Sequence, residues 1–551
     1  MIQMFSAICI YTKTLWYLKP KQIWFRILRK VFRPKPDLTI APSVRLLTGQ
    51  WEFPIPKNVS LQAPTRFRFL NKEHEIVEAS DWNSDKLPKL WLYNLHYFDD
   101  LNAVQSSNRK KWHIKLVARW IIENPPGVGI GWEPYPLSIR IVNWIKFALA
   151  GFLPSNAMLH SLAVQIRFLS NDLEWHLLGN HLLANAKALV FGGCYFSGDE
   201  ARSWIQIGMR ILEEQIPEQI LPDGGHFERS TMYHAIITED LLDLLNLVNI
   251  YPDVFSPWKS VIHSWSTIIS NMVFWMQAMS HSDGEIAFFN DAAVGIAPPP
   301  PLLLLYAERL RISVPPIQDN IIHLNDSGYI RVNVGDGILF IDVAKVGPDY
   351  LPGHAHADTL SYEFSLSGKR VVVNSGTSRY ELGSEREWER STAAHNTVEI
   401  DGQNSSEVWA GFRVAGRASP FDVRVDRQTH RVIIEAAHDG YRRLPGGVIH
   451  RRCWIMDANS LEVRDTIEGQ FTEAISRVYL HPDSKIEGVG PSGLIKNPNR
   501  AIRWRTTVPN TCIEGTMWHP EFGVSVANKC IKMVMQSYGK ITNGTFTLTW
   551  N

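Results

Sequence analysis

Three side chains able to bind a metal or move a proton recur at every second position in Gly353-His354-Ala355-His356-Ala357-Asp358. In an extended chain, positions i, i+2 and i+4 share one face, so His354, His356 and Asp358 can serve a single site. Pro352 and Gly353 punctuate the chain before them, and Thr359 to Leu366 alternates apolar and polar after them, which predicts a half-buried strand leaving the motif. Three further stretches carry chemistry. Gly179-Asn180-His181 opens or interrupts a helix, where an Asn-His pair can donate hydrogen bonds to an anion. Tyr233 and His234 start an apolar helix after the turn-rich run Leu221 to Glu228, and His395 follows Arg390-Ser-Thr-Ala-Ala. A His-x-His alone is common in solvated loops and a lone Tyr is commonly core, but His354, His356, Asp358 and His395 together read as a metal site.

Elements that could position these groups follow from periodicity. Residues 111–123, 137–152, 157–169, 177–191, 201–216, 236–250 and 258–279 each carry apolar side chains at three- and four-residue spacing, which predicts sequential helices stacked in antiparallel pairs, either a solenoid or a closed α/α toroid. After Pro298 to Pro301 and a short helix at 302–310, strands take over to Trp550, predicting an antiparallel β-sandwich. The domain reading is a basic amphipathic segment 1–36, an irregular lead-in 37–90, a helical toroid 91–320 and a sandwich 325–551. At 551 residues more than one core is expected.

Composition narrows the function. A net charge of +1 argues against nucleic acid as a partner, and 20 Trp with 16 Tyr suit a sugar ligand as well as an aromatic core. Five scattered cysteines, Cys9, Cys194, Cys453, Cys512 and Cys530, form no CxxC and imply neither a disulfide framework nor a cysteine metal site. Residues 1–36 make a poor signal peptide, because Lys13 breaks the brief apolar run and no cleavage site follows. Lys13, Lys19, Lys21, Arg26, Arg29, Lys30, Arg33 and Lys35 interleave with Trp16, Trp24 and other apolar residues, with no acid before Asp37. Such a segment either lies on an anionic membrane surface or packs on the protein's own body.

Six strings give a resemblance: residues 91–99, 131–138, 179–181, 223–234, 353–358 and 390–398, of which the last two are the most specific. The sequence resembles the heparinase II/III-like superfamily of polysaccharide lyases, in particular its bacterial branch associated with surface polysaccharides. The resemblance implies an α/α toroid followed by an antiparallel β-sandwich, and β-elimination at a uronic acid. It assigns carboxylate neutralisation to Asn180 and His181 and acid-base roles to Tyr233 and His354, leaving open which is base. It puts forward His234, Glu228, Arg390 and Trp132 as substrate contacts. It also implies a divalent metal, usually zinc and structural, held by His356, a strand acid and a later His. His395 matches the later His, but Asn374 stands where relatives carry Asp, so a neutral amide replaces a charge and Asp358 is the nearby carboxylate that could compensate.

The implied partner is an acidic polysaccharide, and the implied compartment the cell envelope or periplasm. A cytoplasmic protein, or one peripheral on the inner membrane, is the alternative. Two other functions stay open. A glycoside hydrolase would want two carboxylates flanking the bond, with Asp223, Glu228, Asp283 and Glu285 available. A non-catalytic polysaccharide-binding protein of a biosynthesis locus would need no acid and base together.

Overall fold

The computed structural model describes residues 10–537 and 539–551. Among them, successive helices follow the predicted periodicity: Lys110–Glu123, Pro134–Leu149, Asn156–Ser170, Gly179–Tyr195, Asp199–Gln219, Thr231–Ile250 and Lys259–Ala278. A further helix, Lys89–Tyr97, overlaps residues 91–99, and the lead-in carries a small sheet, Leu61–Ala63, Arg66–Phe69 and Lys72–Glu75, where irregular chain was expected. Those strands are only three and four residues long, too short for alternation to stand out.

Gly179–Tyr195 is the innermost helix. Every residue of it except His181 is buried, as an apolar run without a polar stripe requires. Small residues let its neighbours close in: a Cβ at Gly208 of Asp199–Gln219 would come within 2.8 Å of the Ala186 carbonyl oxygen. Pro300 opens the last helix of this half, Pro300–Arg309, at its first turn, where a missing N–H costs nothing.

The strands of the C-terminal half begin at Ile321. Two antiparallel sheets, of eight and nine strands among the described residues, face each other. Ile449–Asp457 and Ser460–Glu468 pair in register and alternate buried with half-buried positions along their length, so one face packs inward. Trp454, Trp504, Phe364, Ile531 and Phe546 fill the space between the sheets. Each such side chain, fully buried, contributes about 1.5–3 kcal/mol.

One polar group in that core ties the sandwich to the motif loops. Arg452 is buried against Asp465, with Nε to Oδ1 at 2.7 Å, and its Nη1 donates to the Leu360 carbonyl at 2.9 Å and to the Asn396 carbonyl at 2.5 Å. The chain just after Asp358 and the chain just after His395 are thus pinned by one guanidinium.

Candidate active site

A cavity of about 840 Å3 opens between the helical half and the sandwich. Asn180, His181 and Tyr233 reach it from helices, and His354, Tyr380 and Phe412 from the sandwich side. Those six residues come from five separate stretches of chain.

Asn180 and His181 sit in the first turn of Gly179–Tyr195 because the chain enters that helix through two left-handed residues, Leu178 (φ 68°) and Gly179 (φ 57°). Glycine suits 179 because its φ is positive, and a Cβ there would also have to displace Leu351 Cδ2, 2.3 Å away. The position also sets both side chains at the positive end of the helix dipole. His181 Nδ1 lies 3.0 Å from Glu174 Oε1 and its ring lies against Tyr135, with centroids 4.4 Å apart. Burial alone would lower the His181 pKa, but the Glu174 carboxylate outweighs it and raises the pKa above the ordinary imidazole value. Asn180 Nδ2 donates to Glu228 Oε1 at 2.9 Å, which orients the amide and leaves its second N–H free of that bond.

Tyr233 occupies the first turn of Thr231–Ile250, where Ser230 caps the helix by accepting from the Tyr233 N–H. Its hydroxyl is 3.2 Å from that of Tyr380, and its ring stacks on His354 with centroids 3.8 Å apart. Burial, then Tyr380 and Tyr135, holds the phenol well above its usual pKa, so it stays protonated.

Asp291 organises the other side. Its Oδ2 lies 2.9 Å from His354 Nδ1, its Oδ1 lies 2.8 Å from His356 Nε2, and both oxygens accept from Arg386, Nη2 at 2.7 Å and Nη1 closer still. A carboxylate only accepts, so His354 carries its hydrogen on Nδ1 and presents a bare Nε2 when neutral. Burial favours the neutral acid at Asp291, but Arg386 and the two histidines overcome it and hold its pKa well below the carboxylate range. Asn290, left-handed at φ 58°, turns the chain so that Asp291 faces the motif, while its Oδ1 accepts from the His356 N–H at 3.0 Å and its own N–H donates to Asp358 at 3.1 Å. The 353–358 stretch is a loop rather than a strand, and the strand begins at Tyr362. The shared bearing of its three polar side chains comes from the Asn290-Asp291 turn, not from pleating.

The expected metal ligands are close together but differently used. His356 Nε2 is committed to Asp291, and His395 Nδ1 faces Asn374 Oδ1 at 3.3 Å. An amide oxygen only accepts, so Nδ1 of His395 carries the hydrogen, and two bare nitrogens, His356 Nδ1 and His395 Nε2, face each other across 3.2 Å. Facing lone pairs attract a cation, yet they supply only two neutral ligands. Asn374 is not a third: it lies behind the His395 ring, its Nδ2 donating to the Phe288 carbonyl at 2.7 Å. Among the described residues no group of three His, Cys, Asp or Glu is placed to hold a metal. The residues therefore do not form a closed four-ligand zinc site.

The expected substrate contacts resolve otherwise. Glu228 is buried behind the cavity wall, its Oε1 accepting from Asn180 and its Oε2, without a hydrogen-bond partner, 3.5 Å from His354 Nε2. Arg390 is buried and donates to the Ala355 carbonyl at 3.1 and 2.9 Å, so it shapes the motif loop instead of touching the cleft. His234 is buried between Met272 O and the His226 N–H and stacks on Trp275. Trp132 is core, packed on Trp120 with its Nε1 donating to Asn124 O at 3.3 Å. The hydrolase carboxylates are engaged as well: Asp223 accepts from Ser327, and Asp283 pairs with Arg370 at 2.7 Å. Sequence reasoning missed Asp291, Arg386, Tyr380 and Glu174. None lies in a motif with spacing of its own, though the Asn290-Asp291 pair after the apolar run 286–289 is a turn signal.

Comparison with known proteins matches this arrangement to two family models. Heparinase II/III N-terminus covers residues 67–296, and Heparinase II/III-like, C-terminal covers residues 317–545. The chain belongs to the heparinase II/III-like superfamily. A heparin-sulfate lyase of Bacteroides stercoris is 24% identical over 307 residues, which are 50% of this chain and 44% of that protein. A heparin-sulfate lyase of Pedobacter heparinus is 25% identical over 328 residues, 52% of this chain and 47% of that one, so the chain spans about half the length of these lyases. FtsZ-localized protein C of Caulobacter vibrioides is 25% identical over 465 residues, 78% of this chain and 76% of the relative. Among solved structures, heparinase III superposes with a TM-score of 0.71 at 17% identity, covering 87% of this chain and 80% of that one. The fold of this heparinase II/III-like chain is the toroid and sandwich of those structures.

Proposed function

We propose that this heparinase II/III-like protein is a polysaccharide lyase that cleaves a uronic-acid-containing polymer by β-elimination. The observation that carries the reading is the convergence of Asn180, His181, Tyr233 and His354 on one cavity, with Asp291 fixing the His354 tautomer. The C5 proton of a uronate is weakly acidic because the neighbouring carboxylate resists further negative charge. Asn180 and the protonated His181, at a helix N-terminus, would bind that carboxylate and the charge that develops on it. His354 Nε2 takes the C5 proton, the C–H electrons form the C4–C5 double bond, and the C4–O bond breaks. Tyr233 gives its proton to the departing oxygen. Its raised pKa and the absence of a cation among its hydrogen-bond partners favour it as the acid over the base. A divalent ion between His356 and His395, completed by solvent, would add order to the loop that carries His354; no step needs it.

The charge of the cleft bears on which polymer. Lys57 pairs with Glu239 at 2.6 Å, Lys146 with Asp243 at 2.9 Å, and Lys187 with Asp240 and Asp243 at 2.7 and 2.6 Å. On the rim Lys89 pairs with Glu133 at 2.8 Å, while the exposed Arg68 donates to Asn71, a neutral amide that leaves its charge in place. Lysines already neutralised have little to offer a sulfate, so the reading extends to an acidic polysaccharide with few sulfates or none. A panel of uronate polymers, each with and without its sulfates, tests both parts by the ultraviolet absorbance of the unsaturated uronate. No absorbance from any member defeats the lyase reading. Faster release from the sulfated member of a pair defeats only the substrate preference.

A further inference from the structure

The segment ahead of the helical body is amphipathic the wrong way round. Residues 10–16 and Pro20–Val31 are helical. At 100° per residue, Gln22, Phe25 and Arg29 share one face of Pro20–Val31, and Ile23, Trp24, Ile27, Leu28 and Val31 share the opposite one. The polar face is the one that packs on the protein. Gln22 is buried, donating to the Leu177 and Tyr350 carbonyls at 3.2 and 3.3 Å, Arg29 pairs with Asp172 at 3.0 Å, and Phe25 lies against Trp175. Lys19 pairs with Glu218, and Lys13 with Glu407 at 2.9 Å, so the segment is docked on both halves of the molecule.

What faces water is the apolar side. Trp16 and Val31 are each 84% exposed, Trp24 63%, and Ile27, Leu15 and Phe32 more than half. Leu38, Ile40, Leu46 and Leu47, further along the chain, are exposed as well. An exposed apolar helix face of this kind marks an interaction site. Lys30, Arg33 and Lys35, all exposed, border the stripe. Facing a second copy, they would meet their own like charges; facing an anionic surface, they would meet their complement. Tryptophan beside basic residues is also the composition of helices that lie in a membrane interface.

We propose that this docked, outward-apolar segment seats the protein on an anionic lipid surface, with its cation-paired underside carrying the enzyme body and its Trp16-Trp24-Ile27-Val31 ridge entering the headgroup region. Such seating is peripheral, and it is independent of the lyase reading. It fits work at the cell envelope, on the face of a membrane. Among the described residues no helix is long and apolar enough to cross a membrane.

Flotation of the full chain with phosphatidylcholine vesicles, with and without phosphatidylglycerol, tests this. The expected result is flotation with the anionic vesicles, reduced by high salt, and a fall of about tenfold or more in partitioning for the triple variant Trp16→Ser, Trp24→Ser, Ile27→Ser. Lys30→Glu with Arg33→Glu should weaken binding to anionic vesicles alone. Because these side chains are exposed, melting temperatures should match wild type; should the triple variant misfold, Trp16→Ser and Trp24→Ser singly carry the test. Wild-type protein that ignores anionic vesicles at low salt overturns the proposal. So does a triple variant that floats as wild type does, or a lipid-free dimer that the triple variant dissolves while vesicles bind neither.

Discussion

Asp291→Asn removes one charge from the centre of the site and changes almost nothing in volume. The carboxylate accepts from His354, His356 and twice from Arg386. An amide has one accepting oxygen, and its NH2 must face one of the groups that formerly donated. If that group is His354, the imidazole flips to the tautomer with its hydrogen on Nε2 and can no longer take a proton. Asparagine in place of aspartate behind a catalytic histidine costs about 10⁴ in turnover in serine proteases. Here Arg386 competes for the amide oxygen, so the expected loss is about 10²–10⁴, or about 3–5 kcal/mol of barrier at 1.36 kcal/mol per decade. The substrate binding proposed for Asn180 and His181 is untouched, so KM should stay within about threefold. Stability falls too, because Arg386 is fully buried and loses its counterion; removing one partner of a buried pair costs about 3–5 kcal/mol, less here for the oxygen that remains. Steady-state kinetics by unsaturated-uronate absorbance, with circular dichroism to certify the fold, measures both. Arg386→Met is the control: it destabilises but leaves the His354 tautomer set, so turnover should fall no more than about tenfold. A folded Asp291→Asn enzyme turning over within about threefold of wild type would refute the role given to Asp291.

Tyr233→Phe and His354→Ala should each lower turnover about a hundredfold or more, and Asn180→Ala should lower it as well, with melting curves near wild type. For pH, His181 has a raised pKa; the stability of its pairing with Glu174 is therefore complete below the ordinary imidazole value of about 6.5 and lost as pH rises through its folded value. Turnover should fall along the same alkaline limb, and Glu174→Gln should move that limb to lower pH; an unmoved limb would clear His181 of the role. Chelator treatment should lower the melting temperature slightly and leave turnover nearly unchanged, because the Asp291–Arg386 pair already orders the loop, and elemental analysis should show His356→Ala abolishing whatever divalent metal copurifies. Loss of activity on chelation would contradict that.

Most helices were legible because each buries one stripe, and 3.6-residue periodicity survives any partner it packs against. Gly179–Tyr195 was expected on the same spacing, at 177–191, although it is buried almost all round. The small sheet at 61–75 was not, being too short to alternate. At the candidate site, the residues with their own motif, Asn180, His181, Tyr233 and His354, are brought together on one cavity. Those that act by supporting them were not legible: Asp291 and Arg386 meet across 95 positions of sequence, and nothing local announces such a pair. The reverse error has the same origin. His234, Trp132 and Arg390 sit in the motifs yet serve the interior, because a motif string preserves the packing under a site along with the site.

The stacking of Tyr233 on His354 joins a helix of one half to a loop of the other, and Arg452 fixes that loop only once the sandwich core has closed around it. Helices can form early from local contacts, whereas the sandwich must pair strands as remote as Ser460–Glu468 and Ile541–Thr549. The proposed activity should then be the last property the chain regains on refolding. Helical circular dichroism should return well before product formation does, and the interval between them times the closure of the two halves upon each other.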